Sequence, residues 1–484
     1  MRRAKIVATL GPALNDPERL KAALEAGIDV VRLNFAHGTH EGHATRLEEV
    51  RKLAREIGRP VGSLGDLQGP KIRLGSLPEE GVNLPDGGDV ILISGREELD
   101  SYDDGTGTPV LPVMYGSLAD DVEAGALVLM DDGLIRLVVS GVEEKQVHCR
   151  IVSGGSMSSR KGVNLPGVAV SAKILTDKDR QDLEAAIDMG VDWIALSFVR
   201  KPDDIVEARE IIRGAGGAQP IVSKLERPEV LDNLRETMEE ADAVMVARGD
   251  LGTEVGPERV PALQKEIIAL ANAVGKPVIT ATEMLESMIR SPRPTRAEAS
   301  DVANAVFDGT DALMLSGETA TGRFPVETVR TMSRIIEAAE ASPRFGLAPP
   351  EGGQDPVQRT AVGRIVARAA VQVAEDVRAK ALVVFSFSGQ SIQRVSKFRP
   401  DVPIVGLTPR TDTLGRLALF WGTTGDLVPQ KDHIRDLIIA AEEACLSDGY
   451  GERGDPVVIV SGLPGGHGGT SNILVHRLGQ VPDD

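Results

Sequence analysis

Three things are scarce in this chain. It holds only two cysteines, Cys149 and Cys445. That excludes a disulfide framework and offers no metal-ligand spacing, so a reducing compartment is expected. Positive charge is also in deficit. Fifty-four Lys and Arg stand against 72 Asp and Glu, a formal net charge of −18. General nucleic-acid binding is therefore disfavoured, and only a local basic pocket for anionic groups is left open. Long apolar runs are missing as well. No stretch approaches the ~20 residues needed to cross a bilayer, and the opening MRRAKIVATL is too short of apolar residues for a secretory leader. A cytoplasmic protein with neither nucleic acid nor membrane as partner is expected. Its 42% apolar content suits a large core.

Strand-like and helix-like stretches alternate from the start. Ala4 to Leu10, Asp29 to Asn34 and Val61 to Leu67 read as strands, with helices over Asp16 to Ala26 and Glu41 to Ile57. The rhythm breaks over residues 74–171, where short β-rich runs such as Asp89 to Ile93 and Gln146 to Val152 are separated by Gly, Pro and Asp. It resumes with a capped helix at Thr176 and strands at Trp193 to Val199, Ile221 to Lys224, Ala243 to Ala247, Pro277 to Ala281 and Ala312 to Leu315. Helices are expected at Pro257 to Ala273 and Thr295 to Val306. The expected class is α/β: a (β/α)8 TIM barrel formed by residues 1–73 and 172–345, interrupted by an antiparallel β-barrel lid at 74–171. A Pro- and Gly-rich linker, Ser342 to Gln354, leads to an open α/β sheet domain at 355–484.

Function in such a barrel gathers at the carboxyl ends of the strands. Two strands there end in charge, Ser-Lys-Leu-Glu at 223–226 and Arg-Gly-Asp at 248–250. Lys224 and Glu226 are two apart and share a strand face. With Asp250 on the neighbouring strand, an ammonium and two carboxylates converge, which suits a divalent cation held by hard oxygens. A structural ion pair at a strand end is the alternative.

Eight stretches, KIVATLGPA (5–13), VVRLNFAHG (30–38), GPKIR (69–73), VNLPG (163–167), SKLE, ARGDLG (247–252), ATEMLESM (281–288) and MLSGETA (314–320), occur in order along the chain. In them the chain resembles pyruvate kinase over essentially its whole length. The resemblance implies phosphoryl transfer from phosphoenolpyruvate to ADP, giving pyruvate and ATP. Glu226 and Asp250 match the Mg2+ ligands of the family, a site whose oxygens also accept Mn2+. Lys224, Thr282, Arg32 and Arg73 match catalytic positions. Lys224 would neutralise charge on the transferring group, Thr282 would help protonate the enolate carbon, and the arginines would hold phosphate. Arg32, Lys224, Gly249, Asp250, Thr282 and Ser197 match the substrate site, with Phe198 on the same rim. Asn34, His37, Arg73 and Lys161 match the nucleotide side. Asp131 and Asp132 form either a lid turn or a cleft contact. Ser316 to Thr319 would support the site from beneath. A homotetramer is also implied.

Two departures stand out. The family's serine after Asn-Phe is Ala36, and its glutamate after Gly-Pro is Lys71. The Lys71 ammonium, held by Asn34 and Asp66, could supply the charge of the family's K+, so activity without K+ is expected. Glu283, where many relatives carry glutamine, has no account at this level. In the last domain Ser386, Ser388, Gly389, Gln390 and Ser391 follow a strand and open a helix, a fitting cradle for phosphate, and there the resemblance implies an allosteric effector such as AMP or a sugar phosphate. Ser461 to Gly469 is the facing loop. Two other readings stay open, a metal-dependent carbon–carbon lyase and a non-catalytic metabolite sensor. The lid and the paired arginines weigh against the first. Intact Lys224, Glu226, Asp250 and Thr282 weigh against the second.

Overall fold

The computed structural model describes residues 2–343, 362–431, 433–462 and 470–480. Eight strands form the centre: β1 (Lys5–Thr9), β2 (Val30–Asn34), β3 (Gly62–Asp66), β4 (Trp193–Leu196), β5 (Ile221–Leu225), β6 (Ala243–Ala247), β7 (Val278–Ala281) and β8 (Ala312–Leu315). Each is parallel to its chain neighbour. Lys5 to Ala8 of β1 pair with Ala312 to Leu315 of β8 and close the ring. Helices cover the outside, so these strands bury both faces and read as apolar runs rather than alternations. Thr176 and Thr295 each start their helix with a reciprocal capping box, to Asp179 and Glu298. Among the described residues no helix is long and apolar enough to cross a membrane.

A short helix that the sequence reading passed over, Arg248–Val255, directly follows β6, and the helix expected over Pro257 to Ala273 spans Val260–Val274. The first contains two glycines in eight residues. Its propensity is too poor to be legible, and packing against the barrel overrides it.

The inserted lid is built on a sheet with the order Val163–Asn164, Leu127–Met130, Ile135–Glu143, Gln146–Ser153, Asp89–Ser94, Val110–Val113. Its pairing departs from the expected antiparallel pattern at one edge, where Asp89–Ser94 and Val110–Val113 run parallel. The entering chain joins the two edges. Arg73 bridges Gly162 beside one edge strand, and Leu74 bridges Val113 on the other.

The last domain carries β9 (Leu382–Phe385), β10 (Ile404–Thr408), β11 (Thr423–Leu427), β12 (Pro456–Ser461) and β13 (Asn472–Arg477), in the order β11-β10-β9-β12-β13. β12 and β13 are antiparallel, so the sheet is not wholly parallel. The sequence reading passed over β11 and β13, whose TTGDL and half-exposed NILVHR lack a buried apolar run. This domain plugs the amino-terminal mouth of the barrel. Lumen residues Val7, Trp193 and Met245 share one core cluster with Phe420 and Ile404. Trp193 meets Phe420 edge-on at 6.2 Å. Lys397 and Arg399 both reach Asp311, at 2.7 and 2.9 Å, beneath β8. The opposite mouth faces the lid.

Candidate active site

Lys224 lies near the end of β5 and projects across β4 toward β3. Its ammonium is 2.8 Å from Glu226 Oε1 and 3.3 Å from Asp66 Oδ1, and it donates to Ser197 Oγ at 2.7 Å. Ser197 in turn donates to the Leu67 carbonyl at 2.7 Å, so the hydroxyl is locked as an acceptor for the lysine. Burial alone would strip Lys224 of its proton, but Asp66 and Glu226 outweigh it and raise its pKa. The lysine is held charged. Asp66 is the mirror case. Burial would raise its pKa, but Lys224 and Arg32 bring it below the usual carboxylate value. Arg32 Nε meets Asp66 Oδ2 at 2.6 Å, and its Nη1 donates to Thr9 Oγ1 at 3.0 Å.

Glu226 is fully buried at the end of β5. Its Oε2 accepts the Phe198 amide at 3.0 Å. Burial is the chief cause of its raised pKa, Lys224 opposes the shift, and the negative charge of Asp250 adds to it. Glu226 Oε1 and Asp66 Oδ1 are ion-paired to Lys224, yet among the described residues neither takes a hydrogen bond. Buried carboxylate oxygens with spare acceptor capacity, beside a second acid, fit a hard divalent cation. Glu226 and Asp250 are the residues that would hold it.

Asp250 sits in the first turn of the Arg248–Val255 helix. Lys71 Nζ reaches it at 3.0 Å. Asn34 and Asp66, expected to hold this ammonium, do not. Asn34 Oδ1 accepts the Ala36 amide at 3.3 Å, and Asp66 is taken by Arg32 and Lys224. Lys224 reaches across β4 to Asp66 in place of Lys71.

Thr282 follows β7 with φ at +68°, Glu283 has +55°, and Phe198 after β4 has +58°. Non-glycine residues in this left-handed region are strained, a β-branched threonine most of all. Arg248 holds the Thr282 turn. It donates to the Ala281 and Thr282 carbonyls at 3.1 and 2.6 Å, while Asp301 anchors it at 2.7 Å. Thr282 Oγ1 donates to Ala281 O and accepts the Gly249 amide at 2.8 Å. The Gly249 N–H, expected to face a carboxylate, is thus engaged by threonine. Glu318 is buried and accepts the Leu285 and Ser316 amides at 3.0 and 2.7 Å, beneath the same turn.

The nucleotide-side residues lie apart from this cluster. His37 is exposed, and its carbonyl accepts from His43 at 2.8 Å. Arg73 Nη1 donates to Arg160 O at 3.1 Å at the lid's edge. Lys161 pairs with Asp131 at 2.7 Å within the lid. Asp131 and Asp132 have φ of +51° and +54° and form the turn after Leu127–Met130. Ser386 Oγ accepts the Gly389 amide at 2.9 Å, and Ser391 meets Thr470, both far out in the last domain. Ser388 and Gln390 are exposed there. Residues 463–469 of the facing loop and most of the linker lie outside the described residues.

Sequence reasoning missed Arg227, Glu254, Asn164 and Arg248. The signal was adjacency. Arg227 follows Glu226 directly, Arg248 precedes Asp250 by two, and Glu254 lies one helical turn beyond it.

Comparison with known families and proteins agrees with the motifs. Residues 1–329 match the model of the pyruvate kinase barrel domain, and residues 364–476 that of the pyruvate kinase alpha/beta domain. The chain is 46% identical over 480 residues to a pyruvate kinase of Mycobacterium intracellulare, covering 99% of both chains. It is 43% identical over 479 residues to one of Agrobacterium vitis, again covering 99% of each. With pyruvate kinase 2 of a Synechocystis species it shares 44% over 477 residues, 98% of this chain and 78% of that one.

Proposed function

The chain belongs to the pyruvate kinase family and is a phosphotransferase, and on that footing we propose that the cluster around Lys224 transfers the phosphoryl group of phosphoenolpyruvate to ADP. The observation that carries this is the Lys224 ammonium, buried and ion-paired between Asp66 and Glu226. Phosphoryl transfer needs little covalent help from the protein, and positioning with charge neutralisation does most of the work. Arg32 and Arg73 grip phosphate oxygens. Lys224 balances the negative charge on the transferring group and then on the enolate oxygen left when the bridging P–O bond breaks. The new P–O bond forms to the terminal oxygen of ADP. Thr282 relays a proton through water to the methylene carbon of the enolate, giving pyruvate. The Asp250 amide orients the substrate carboxylate, Ser197 holds Lys224 in place, and His37, Asn34 and Lys161 bind the nucleotide. A divalent cation, Mg2+ or Mn2+, held by Glu226 and Asp250 would supply further charge neutralisation at phosphate and carboxylate oxygens.

Lys71 supplies a fixed positive charge where the family employs K+, and activity does not require that ion. Its 3.0 Å contact with Asp250 supports this reading. Ser386 to Ser391 receive a phosphorylated effector, supported by their place after β9, where the strand order reverses. The enzyme works in the cytoplasm as a homotetramer.

A coupled assay of pyruvate and ATP from phosphoenolpyruvate, ADP and Mg2+ tests the mechanism. Lys224→Met lowers kcat by about 10^3-fold or more. Activity indifferent to that change would remove the mechanism.

A further inference from the structure

The lid is joined to the barrel by a buried polar latch that also touches the two segments carrying Glu226 and Asp250. Arg227 Nη1 meets Glu254 Oε1 at 2.9 Å, with side-chain exposures of 8% and 0%. The same Glu254 oxygen accepts from Asn164 Nδ2 at 3.1 Å. Asn164 belongs to an edge strand of the lid sheet, paired opposite Leu129. Arg227 Nη2 donates to Val168 O at 3.2 Å on the segment returning from the lid, and Glu229 braces the guanidinium at 2.8 Å. Further along that segment Arg200 Nη1 donates to Val170 O and Ala172 O, at 3.0 and 3.2 Å. Two arginines from the ends of β4 and β5 therefore pin three backbone carbonyls of one lid connection.

The wiring has a consequence for the site. Arg227 is covalently next to Glu226. Glu254 lies four residues after Asp250 on one short helix, so a shift of Glu254 moves that helix as a body. A buried charge pair of this kind contributes little net stability but fixes geometry. Breaking it leaves a charge without its partner, so the two ends stay together through small motions.

We propose that Arg227, Glu254 and Asn164 are positioning residues that couple the orientation of the lid to the spacing of Glu226 and Asp250. This rests on the reading of those two acids as the cation ligands. The cleft beside the latch, lined by Lys71, Ile72, Asn164, Phe198 and Arg227, is where that coupling acts.

The test uses the full chain with spin labels at Glu123→Cys on the lid and Glu210→Cys on the barrel. Both positions are exposed, and the two native cysteines are buried. In the metal-free protein, Glu254→Gln and Arg227→Met each widen the lid–barrel distance distribution at least about twofold, and each weakens Mn2+ binding, read by EPR of free Mn2+, by roughly tenfold. Arg227→Lys, which keeps a charge within reach of Glu254, recovers Mn2+ affinity to within about threefold of the parent. Glu254→Gln is isosteric and guards against a failure to fold in the methionine variant. Unchanged distances and Mn2+ affinity in both variants overturn the proposal. Glu226→Gln separates the two ideas. Mn2+ affinity untouched by Glu226→Gln refutes the ligand assignment, and with it the affinity half of the proposal. The metal-free distances still decide whether the latch holds the lid.

Discussion

Replacing Lys71 by glutamate inverts the charge beside Asp250 and should convert the enzyme to K+ dependence. The Nζ to Oδ1 separation is 3.0 Å. At an effective dielectric of ~20 the bare attraction is about 5 kcal/mol. The two side chains are 25% and 26% exposed, however, and water screening and side-chain entropy reduce a pair of that kind to about 1 kcal/mol. Lys71→Glu should therefore leave the melting temperature nearly unchanged. The larger effect falls on the transition state, where a fixed positive charge is lost beside the proposed site of phosphoryl transfer. Loss of one such group costs about 10^2-fold in kcat. Steady-state assays in tetramethylammonium buffer should show that loss, and added K+ should restore activity to within about tenfold of the parent. Lithium, small and tightly hydrated, should not. Parent-like activity without K+ in the variant, or recovery with any salt alike, refutes the idea that Lys71 takes the place of the ion.

Asp192, half-buried just before β4, accepts the Ser63 amide and hydroxyl at 2.8 and 2.6 Å, and Arg51 and Arg416 are the cations that face it. Burial pushes its pKa up to about 6 from 3.8. The folded protein thus binds the extra proton first, and this contribution to stability is full below about pH 4 and lost as pH rises through 6. Asp192→Asn should flatten that limb of a urea-denaturation profile and raise stability at pH 7 to 8 by about 2–3 kcal/mol; an unchanged slope contradicts it. Gly69 has φ at +69°, and a Cβ there would meet Ser197 Cβ and Phe198 Cδ2 at 2.9 Å. Gly69→Ala should cost about 2 kcal/mol by denaturation and lower kcat by shifting Ser197 away from Lys224. A stable variant with lowered kcat would still support the positional role, whereas full activity would not. Thr282→Val should slow exchange of pyruvate methyl protons with solvent by about 10^2-fold, while Thr282→Ser should retain it.

The alternation of apolar runs and amphipathic stretches determined the eight-strand ring, the interruption by a β-rich insert and the α/β character of the last domain. Those features follow from burial, and burial leaves its mark residue by residue along a chain. The charged endings at 224, 226 and 250 were legible for the same reason, since charge at the end of an apolar strand is conspicuous. What the chain order could not reveal was which partner each charge would find. Lys224 skips a strand to reach Asp66, and Lys71 pairs with Asp250. The Arg248–Val255 helix forms against its own glycine content. Thr282 is held in a strained conformation by an arginine 34 residues earlier. Glu254, paired with Arg227, meets Asn164 across a domain boundary. Each of these is a choice among several chemically acceptable pairings. Local sequence fixes what a side chain can do, but only closure of the barrel brings one particular partner within 3 Å of it, at the exclusion of the others.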